Sequence, residues 1–381
     1  MHHGDSPSPR RRRPRYPGTH PRRFEQRYKE LNPQSHPEIH EHVQAQGRTP
    51  AGTHVPVMLA EVLGALRPGP GDVAADCTLG YGGHARALLE RIGPTGRFIG
   101  LDVDGAQLER TAVRLRGRFD DAAAQPPQAS AGPGARATFH RSHFAGLGKV
   151  LAREGVDGCD VVLADLGCSS VQLDDPRRGF SYKHDGPLDM RMDNRLKRTA
   201  ADLLTGLSVE ELSAALEILA DEPHHVRIAR AVVERRESHP ITRTRQLVKI
   251  IEAVKAERAD RRTNRQQRRD DEAGLRDTEE RGSHLHPAAR TFQALRMLVN
   301  DEIGGLDQFL RAVPYCLRPG GRLAIISFHS GEHRRIEQAL SEGLEAGIYS
   351  LISTEPVTPQ AAEVYANPRS RSAELRWAVR A

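Results

Sequence analysis

Residues 72–104 read DVAADCTLGYGGHARALLERIGPTGRFIGLDVD, and the order of patterns in this stretch decides the fold. DVAADC (72–77) is a short apolar run suited to a strand, and HARALLERIG has apolar residues at helical spacing and stops at Gly93. RFIGLDVD (97–104) is a second apolar run that ends in acids. Strand, helix and strand in succession form a βαβ unit, which places its strands parallel. Between the first strand and the helix lie Gly80, Gly82 and Gly83. Such a backbone adopts positive φ readily and lets a ligand come close. Gly80-Tyr-Gly82-Gly83-His84-Ala85 fits G-x-G-x-x-A, and Asp102 follows Gly82 by 20 residues at the end of the next strand. The pattern suits an adenosine-bearing ligand, because one carboxylate accepts both ribose hydroxyls through charge-assisted bonds of roughly 1.5–3 kcal/mol each. The turn alone does not separate a nicotinamide dinucleotide from S-adenosylmethionine, which lacks a pyrophosphate for the helix N-terminus.

The alternation extends outward from this unit. VMLAEVLGALRP (57–68) reads as a helix ending at Arg67-Pro68, AQLERTAVRLRGRF as a helix, ATFHRSHF (137–144) as a strand and VVLADLG (161–167) as a buried strand. Strands alternating with helices predict a parallel sheet covered on both faces. After Gly167 the alternation stops, and from about 174 to 286 no convincing buried strand is visible. SVEELSAALEILA opens with a capping box, Ser208 and Glu211, and VRIARAVVERR and TRQLVKIIEAV are helical. The sheet pattern then resumes. TFQALRMLVNDEIGGLDQFLRAVPYCL is helical with a break expected at Gly304-Gly305, RPGG is a turn and RLAIISFHS (322–330) a strand. SAELRWAVRA puts Leu375, Trp377 and Val379 on one face of a half-buried strand that ends the sheet. The chain thus divides into a tail (1–50), a first sheet part (51–173), a helical insertion (174–286) and a second sheet part (287–381).

Of the 381 residues 38% are hydrophobic but only 4% aromatic, so the core is built from aliphatic side chains. No stretch approaches the roughly 20 apolar residues of a membrane span, and the Arg/Pro-rich start does not read as a secretory signal. The cysteines, Cys77, Cys159, Cys168 and Cys316, have no C-x-x-C spacing. They indicate neither a metal site nor a disulfide framework, and a reduced cytoplasmic setting is expected. Net charge is +6, of which +5 sits in residues 1–50, where ten Lys/Arg face five Asp/Glu. The tail reads as disordered, with RRRRPR able to hold phosphates weakly, while the body is nearly neutral. DDAAAQPPQASAGPGAR (120–136) reads as a low-complexity loop. Residues 255–269 are basic and 270–281 acidic. Such segregation fits a solvated loop or frayed helix better than an RNA-binding arm.

Asp165-Leu-Gly-Cys-Ser-Ser-Val-Gln-Leu-Asp174 leaves the fourth strand at its C-terminal end, where ligands sit in open α/β sheets. With DCTLGYGGH, LDVD, HSHF, DLGCSSVQLDDPRRGFSYKHDGPLDMRMD, RTFQALRMLVNDE, RPGGRLAIISFHSGEHR and NPRSRSAELR in order, the chain resembles the bacterial RsmH (MraW) family. Those proteins are S-adenosylmethionine-dependent methyltransferases that modify the exocyclic N4 of a P-site cytidine in 16S ribosomal RNA. The resemblance runs from about His54 to Arg376, outside the tail, the 120–136 loop and the charged segment near 255–283. It implies an α/β fold, a class I (Rossmann-like) methyltransferase sheet with an inserted helical domain. It also implies S-adenosyl-L-methionine as cofactor and 16S rRNA as partner. The bulk of the insertion favours the small ribosomal subunit as substrate. A homodimer is left open, and no membrane or metal is expected.

The resemblance also implies roles. Gly82, Gly83 and His84 line the methionine end of the cofactor, Asp102 holds the ribose, Phe144 packs near the adenine, Asp165 meets the charged end and Gln172 completes the pocket. Tyr81, Cys168, Val171, Gly331 and His333 depart from common family residues without removing a cofactor contact. The cytosine amine is a poor nucleophile, and an acceptor for one of its hydrogens would expose its lone pair; the Asp165 carboxylate, backbone carbonyls of the loop, and Ser169 or Ser170 are all candidates. For gripping RNA the candidates are Arg177, Arg178, Lys183, Arg191 and Arg296, with Phe328 and His329 placed to stack on the base. The readings competing with this one are a nicotinamide-dependent oxidoreductase of similar sheet type, a non-catalytic nucleic-acid-associated protein, and a methyltransferase for small molecules or proteins.

Overall fold

In the computed structural model, residues 56–120, 137–256 and 286–381 are described. The expectations for the 1–50 tail, and those for the 120–136 loop and the charged segment beyond their first residues, lie outside the described residues. Helix α1 (Leu59–Leu66) precedes β1 (Val73–Asp76), α2 (Gly83–Ile92) and β2 (Arg97–Asp102). Then follow α3 (Gly105–Asp120), β3 (Ala137–Arg141), α4 (Leu147–Glu154) and β4 (Cys159–Asp165). These four strands pair in parallel in the order β3-β2-β1-β4. Side-chain alternation explains the two helix layers. Val162 and Ala164 face a core that holds Leu147 and Phe309, whereas Val161 and Leu163 face one that holds Val62 of α1 and Leu88 of α2.

Between β4 and the next strand come α5 (Ser170–Asp174), α6 (Ala200–Gly206), α7 (Val209–Ala220), α8 (His225–Ser238), α9 (residues 244–256) and α10 (Ala289–Asn300). Among the described residues here there is no strand beyond an isolated Pro187–Arg243 bridge. Leu203, Leu212, Leu216, Ile228, Leu247 and Phe292 form a separate apolar core, to which α10 contributes. The Ser208 hydroxyl accepts the Glu211 N–H at 3.1 Å and the Glu211 carboxylate accepts the Ser208 N–H at 2.8 Å, so the expected capping box starts α7.

The chain closes with α11 (Glu302–Ala312), β5 (Leu317–Ser327), α12 (Ser330–Glu345), β6 (Tyr349–Ile352), α13 (Ala361–Ala366) and β7 (Glu374–Arg380). The full sheet order is β3-β2-β1-β4-β5-β7-β6, with β7 antiparallel to both neighbours. This is a doubly wound Rossmann-like sheet with one reversed strand, as the resemblance implies. β7 does not end the sheet, because β6 pairs outside it; β6 is a four-residue edge strand too short to stand out in the sequence. RPGG is absorbed into β5 at a register irregularity, with Gly320 at φ 78°. Strand β5 stops at Ser327 because His329 caps α12.

The helical break falls at Asp301 (φ 48°), not at Gly304-Gly305, which lie inside α11. Asp is among the few residues that accept the left-handed region. The glycines serve packing instead: a Cβ on Gly305 would stand 2.3 Å from Cε1 of His143. That ring is held by the Ala145 N–H on its Nδ1 at 3.2 Å and by Phe144, 3.9 Å away between centroids. Gly305→Ala is therefore expected to lower the unfolding temperature. Overpacking costs about 1–3 kcal/mol against a helix-propensity gain of roughly 1 kcal/mol. An unchanged or higher temperature in a thermal melt would show that the ring swings aside.

Candidate active site

The strand order reverses direction between β1 and β4, and the carboxyl ends of β1, β2 and β4 meet there, the place where α/β sheets open a crevice. Pairing continues past β1: the Cys77 N–H reaches Leu163 O and the Leu79 N–H reaches Leu101 O, so the glycine turn starts anchored to both neighbours. Gly80 (φ 47°) and Gly82 (φ 70°) then take left-handed backbone, and Gly82 is the N-cap of α2. A Cβ on Gly82 would lie 2.7 Å from Thr111 Cγ2, and one on Gly83 2.5 Å from Pro56 Cγ. The bareness of these two residues lets the turn press against α3 and the segment before α1. The Gly80 carbonyl accepts from Gln107 Nε2 (3.1 Å) and Thr111 Oγ1 (2.6 Å), which ties the turn to α3.

Asp102 accepts the Gly80 N–H at 2.8 Å on one oxygen and the Asp104 N–H at 2.9 Å on the other. Each oxygen keeps a second lone pair for another donor. Burial pushes its carboxyl up to about 6, against the pull of those backbone N–H groups. His84, at the start of α2, is buried, and neither ring nitrogen has a hydrogen-bond partner among the described residues. Its Nε2 lies 3.6 Å from the Asp165 carboxylate, too far for a hydrogen bond. The Asp165 N–H donates to Thr78 Oγ1 at 2.6 Å, which fixes the end of β4 to the turn.

Asp76 is the residue that sequence reasoning missed. It is 1% exposed at the end of β1, and its carboxylate accepts the Thr78 N–H at 3.1 Å. Burial raises its carboxyl to about 6; the His84 charge pulls it down, and Asp165 and Asp102 push it up. The only sequence signal was an acid closing an otherwise apolar strand just before the glycines.

The remaining candidates are placed unevenly. Phe144 opens the turn after β3, half-buried, with its ring edge-on to Phe309 at 5.5 Å. Gln172 spends its amide inside the protein: Oε1 accepts the Ser169 N–H (3.0 Å) and Nε2 donates to Asp104 (3.1 Å). Asp104 also accepts Arg178 Nη1 at 2.8 Å. Burial pushes the Asp104 carboxyl up, but the Arg178 charge and hydrogen bond outweigh it and leave it below the usual range. Ser169 Oγ accepts the Gln172 N–H at 3.2 Å as the N-cap of α5, while the Ser170 side chain lies outside the described ones.

Most of the arginines expected to hold RNA are committed within the protein. Arg178 also donates to the carbonyls of Arg191 and Met192, and Arg191 pairs with Asp189 and donates to Leu196 O. Arg296 makes a half-buried two-pronged pair with Glu302 at 2.8 Å, and Arg177 pairs with Asp175. Lys183 is exposed, with no ion pair among the described residues. Phe328 is half-buried after β5, its ring 3.5 Å from where a Cβ on Gly167 (φ 104°) would be, so it lies against the loop that follows Asp165. His329 Nδ1 accepts the Glu332 N–H at 3.4 Å, and its Nε2 lies 3.3 Å from that residue's carboxylate.

The crevice therefore brings together the carboxylates of Asp76, Asp102 and Asp165, with His84 beside Asp165 and within reach of the Asp76 charge. Such a set suits a cationic ligand with hydroxyls to donate, and repels a pyrophosphate. The residues fit S-adenosylmethionine on that ground: sulfonium and ammonium for the carboxylates, ribose hydroxyls for Asp102, and polar atoms for the unpartnered nitrogens of His84. Among the described residues no cluster of three or more His, Cys, Asp or Glu could hold a metal ion.

Comparison with known proteins agrees with this chemistry. A family model described as the MraW methylase family matches residues 51–381. The chain is 40% identical over 373 residues to ribosomal RNA small subunit methyltransferase H 1 of Agathobacter rectalis, covering 97% of this chain and 98% of that protein. It is 40% identical over 342 residues to ribosomal RNA small subunit methyltransferase H of Symbiobacterium thermophilum, covering 86% and 96%. The protein of that name in Acidothermus cellulolyticus is 39% identical over 347 residues, covering 86% and 94%.

Proposed function

The chain belongs to the MraW methylase family, and from that premise and the geometry of the crevice we propose that it methylates small-subunit ribosomal RNA with S-adenosylmethionine, at the exocyclic N4 of a decoding-region cytidine. The observation that carries the reading is the crevice charge: Asp76, Asp102 and Asp165 together, with a buried His84 beside Asp165 whose ring nitrogens lack hydrogen-bond partners among the described residues. A nicotinamide dinucleotide would bring its pyrophosphate against those carboxylates. Residues 174–286, whose apolar core is shared with α10, would serve as the inserted domain that meets a bulky RNA substrate in the cytoplasm.

S-adenosylmethionine, when bound, supplies a methyl group on a sulfonium, already an excellent leaving group. What the protein must add is placement and polarisation. Asp102 has free lone pairs for the ribose hydroxyls. Asp165 would be the acceptor for an amine hydrogen of cytosine, drawing the nitrogen lone pair out of conjugation. Ser169 is less suited, because its hydroxyl oxygen already accepts the Gln172 N–H. Phe328, against the loop after Asp165, offers a face for the flipped pyrimidine. The amine proton becomes acidic only as the methyl arrives, so no strong base is needed beforehand; a steep dependence of single-turnover transfer on one group of pKa near 7 would refute this.

Calorimetry with S-adenosylmethionine and NADH tests the cofactor: the first binds and the second does not. Mass spectrometry of the decoding-region cytidine from cells with and without the gene tests the product. The affinity also carries a pH signature. Asp76 and Asp102 are raised to about 6, and a cationic, hydroxyl-donating ligand prefers both ionised. Affinity is thus expected to be flat above pH 7 and to fall as pH drops through 6, by up to about tenfold per unit for each coupled group. The stability of the free protein is expected to follow the opposite trend. Folded carboxyls raised above the ordinary 3.8 favour the folded state below that pH, and this contribution is lost as pH rises towards 6. Calorimetric titrations at pH 5, 6, 7 and 8 check the sign, and an affinity that rises on acidification rules it out.

A further inference from the structure

On the sheet face covered by α1, a cavity of about 300 Å³ is lined by Glu61, Arg67, Arg322, Leu351, Val357 and Trp377, among others. That volume is at the small end of ligand pockets, which run to about 1,000 Å³. Arg322 of β5 and Trp377 of β7 share this face with Ala324 and Leu375 of the α1-side core. Arg322 stands four residues before Ile326, the partner of Asp165, so along the strand it is roughly 13 Å from the crevice.

Packing does not explain what lines this cavity. Arg67 follows α1 in left-handed backbone, φ 47°, at a position that usually takes glycine. A side chain there is strained by the close approach of its Cβ to the backbone. Its guanidinium is exposed and has no hydrogen-bond or ion-pair partner among the described residues. Arg322 donates to Ala65 O at 3.0 Å, which caps the end of α1, but its other N–H groups have no partner among the described residues. Burial lowers its pKa, and the neighbouring charge of Arg67 lowers it further, so two like charges are held together here. Glu61 lines the same cavity and forms no ion pair among the described residues. The Trp377 backbone N–H donates to Ser353, while its indole N–H has no partner among the described residues.

An anion between the two guanidiniums would relieve their repulsion with charge-assisted bonds. Trp377 and Leu351 offer a flat apolar wall to a ring, and Glu61 an acceptor for amino or hydroxyl hydrogens. We propose that this cavity is a second nucleic-acid contact that takes one nucleotide unit, its phosphate between Arg67 and Arg322 and its base against Trp377. The RNA source rests on the function proposed above; a free nucleotide carries the same chemistry.

Trp377 is the single tryptophan of the chain, so its emission reports this cavity alone. The full chain is titrated with a short single-stranded RNA and with cytidine monophosphate. Saturable quenching is expected with both. Tighter binding of the RNA assigns the cavity to RNA, and equal affinity assigns it to the free nucleotide. Arg67→Gly suits the left-handed backbone, so it should keep or raise the unfolding temperature. It should also weaken quenching about tenfold or more, the loss of one charge-assisted contact, with S-adenosylmethionine affinity unchanged. No quenching by either ligand, or equal quenching in Arg67→Gly, overturns the proposal. S-adenosylmethionine binding is measured on the same samples, so failure of the methyl-donor reading shows separately.

Discussion

Asp102→Ala is expected to weaken S-adenosylmethionine binding by about 10²- to 10⁴-fold. The figure follows from two ribose hydroxyl contacts to a carboxylate at roughly 1.5–3 kcal/mol each. Both carboxylate oxygens already hold backbone N–H groups, of Gly80 and Asp104, so alanine also releases the glycine turn. Asp102→Asn separates the two effects. One amide oxygen can still accept a backbone N–H, but the charge and half of the accepting capacity are gone. Calorimetry on both variants, with thermal melts as control, should find Asn folded and still weak in binding. Wild-type affinity in a folded Asp102→Asn would remove the carboxylate from the site.

Asp165→Asn is expected to slow single-turnover methyl transfer by about 10²- to 10³-fold, the range for loss of one well-placed polar contact to a developing charge. The backbone should hold, because the Asp165 N–H to Thr78 Oγ1 bond does not involve the side chain. Cofactor affinity should fall less than the rate. If the rate stays within a fewfold of wild type, the acceptor is another group of the same loop. A cofactor affinity that falls as far as the rate would instead make Asp165 a binding residue.

The local part of the site was legible because its signals are adjacent in sequence. The glycine turn, the strand-end acids Asp102 and Asp165 and the Ser208–Glu211 capping box each follow from residues a few positions apart. The partners of two RNA candidates, Arg191 and Arg296, were hidden for a related reason. Asp189 with Arg191 and Arg296 with Glu302 read as open surface charge until side-chain geometry closes each pair. Gly304-Gly305 looked like a helix break because glycine is a poor helix former. Only the nearness of His143 shows why Gly305 is needed inside α11.

By itself the sequence determined the alternation of strands and helices, the family, and the edge of the sheet at which the ligand is proposed to bind. All of these follow from periodicity and motif order along the chain. Only the tertiary structure decided that β7 runs antiparallel between β5 and β6, that Asp76 is a buried carboxyl raised to about 6, and that Arg67 and Arg322 share a cavity with Trp377. Strand order, desolvation and the meeting of like charges depend on groups far apart in sequence, and no local pattern encodes them.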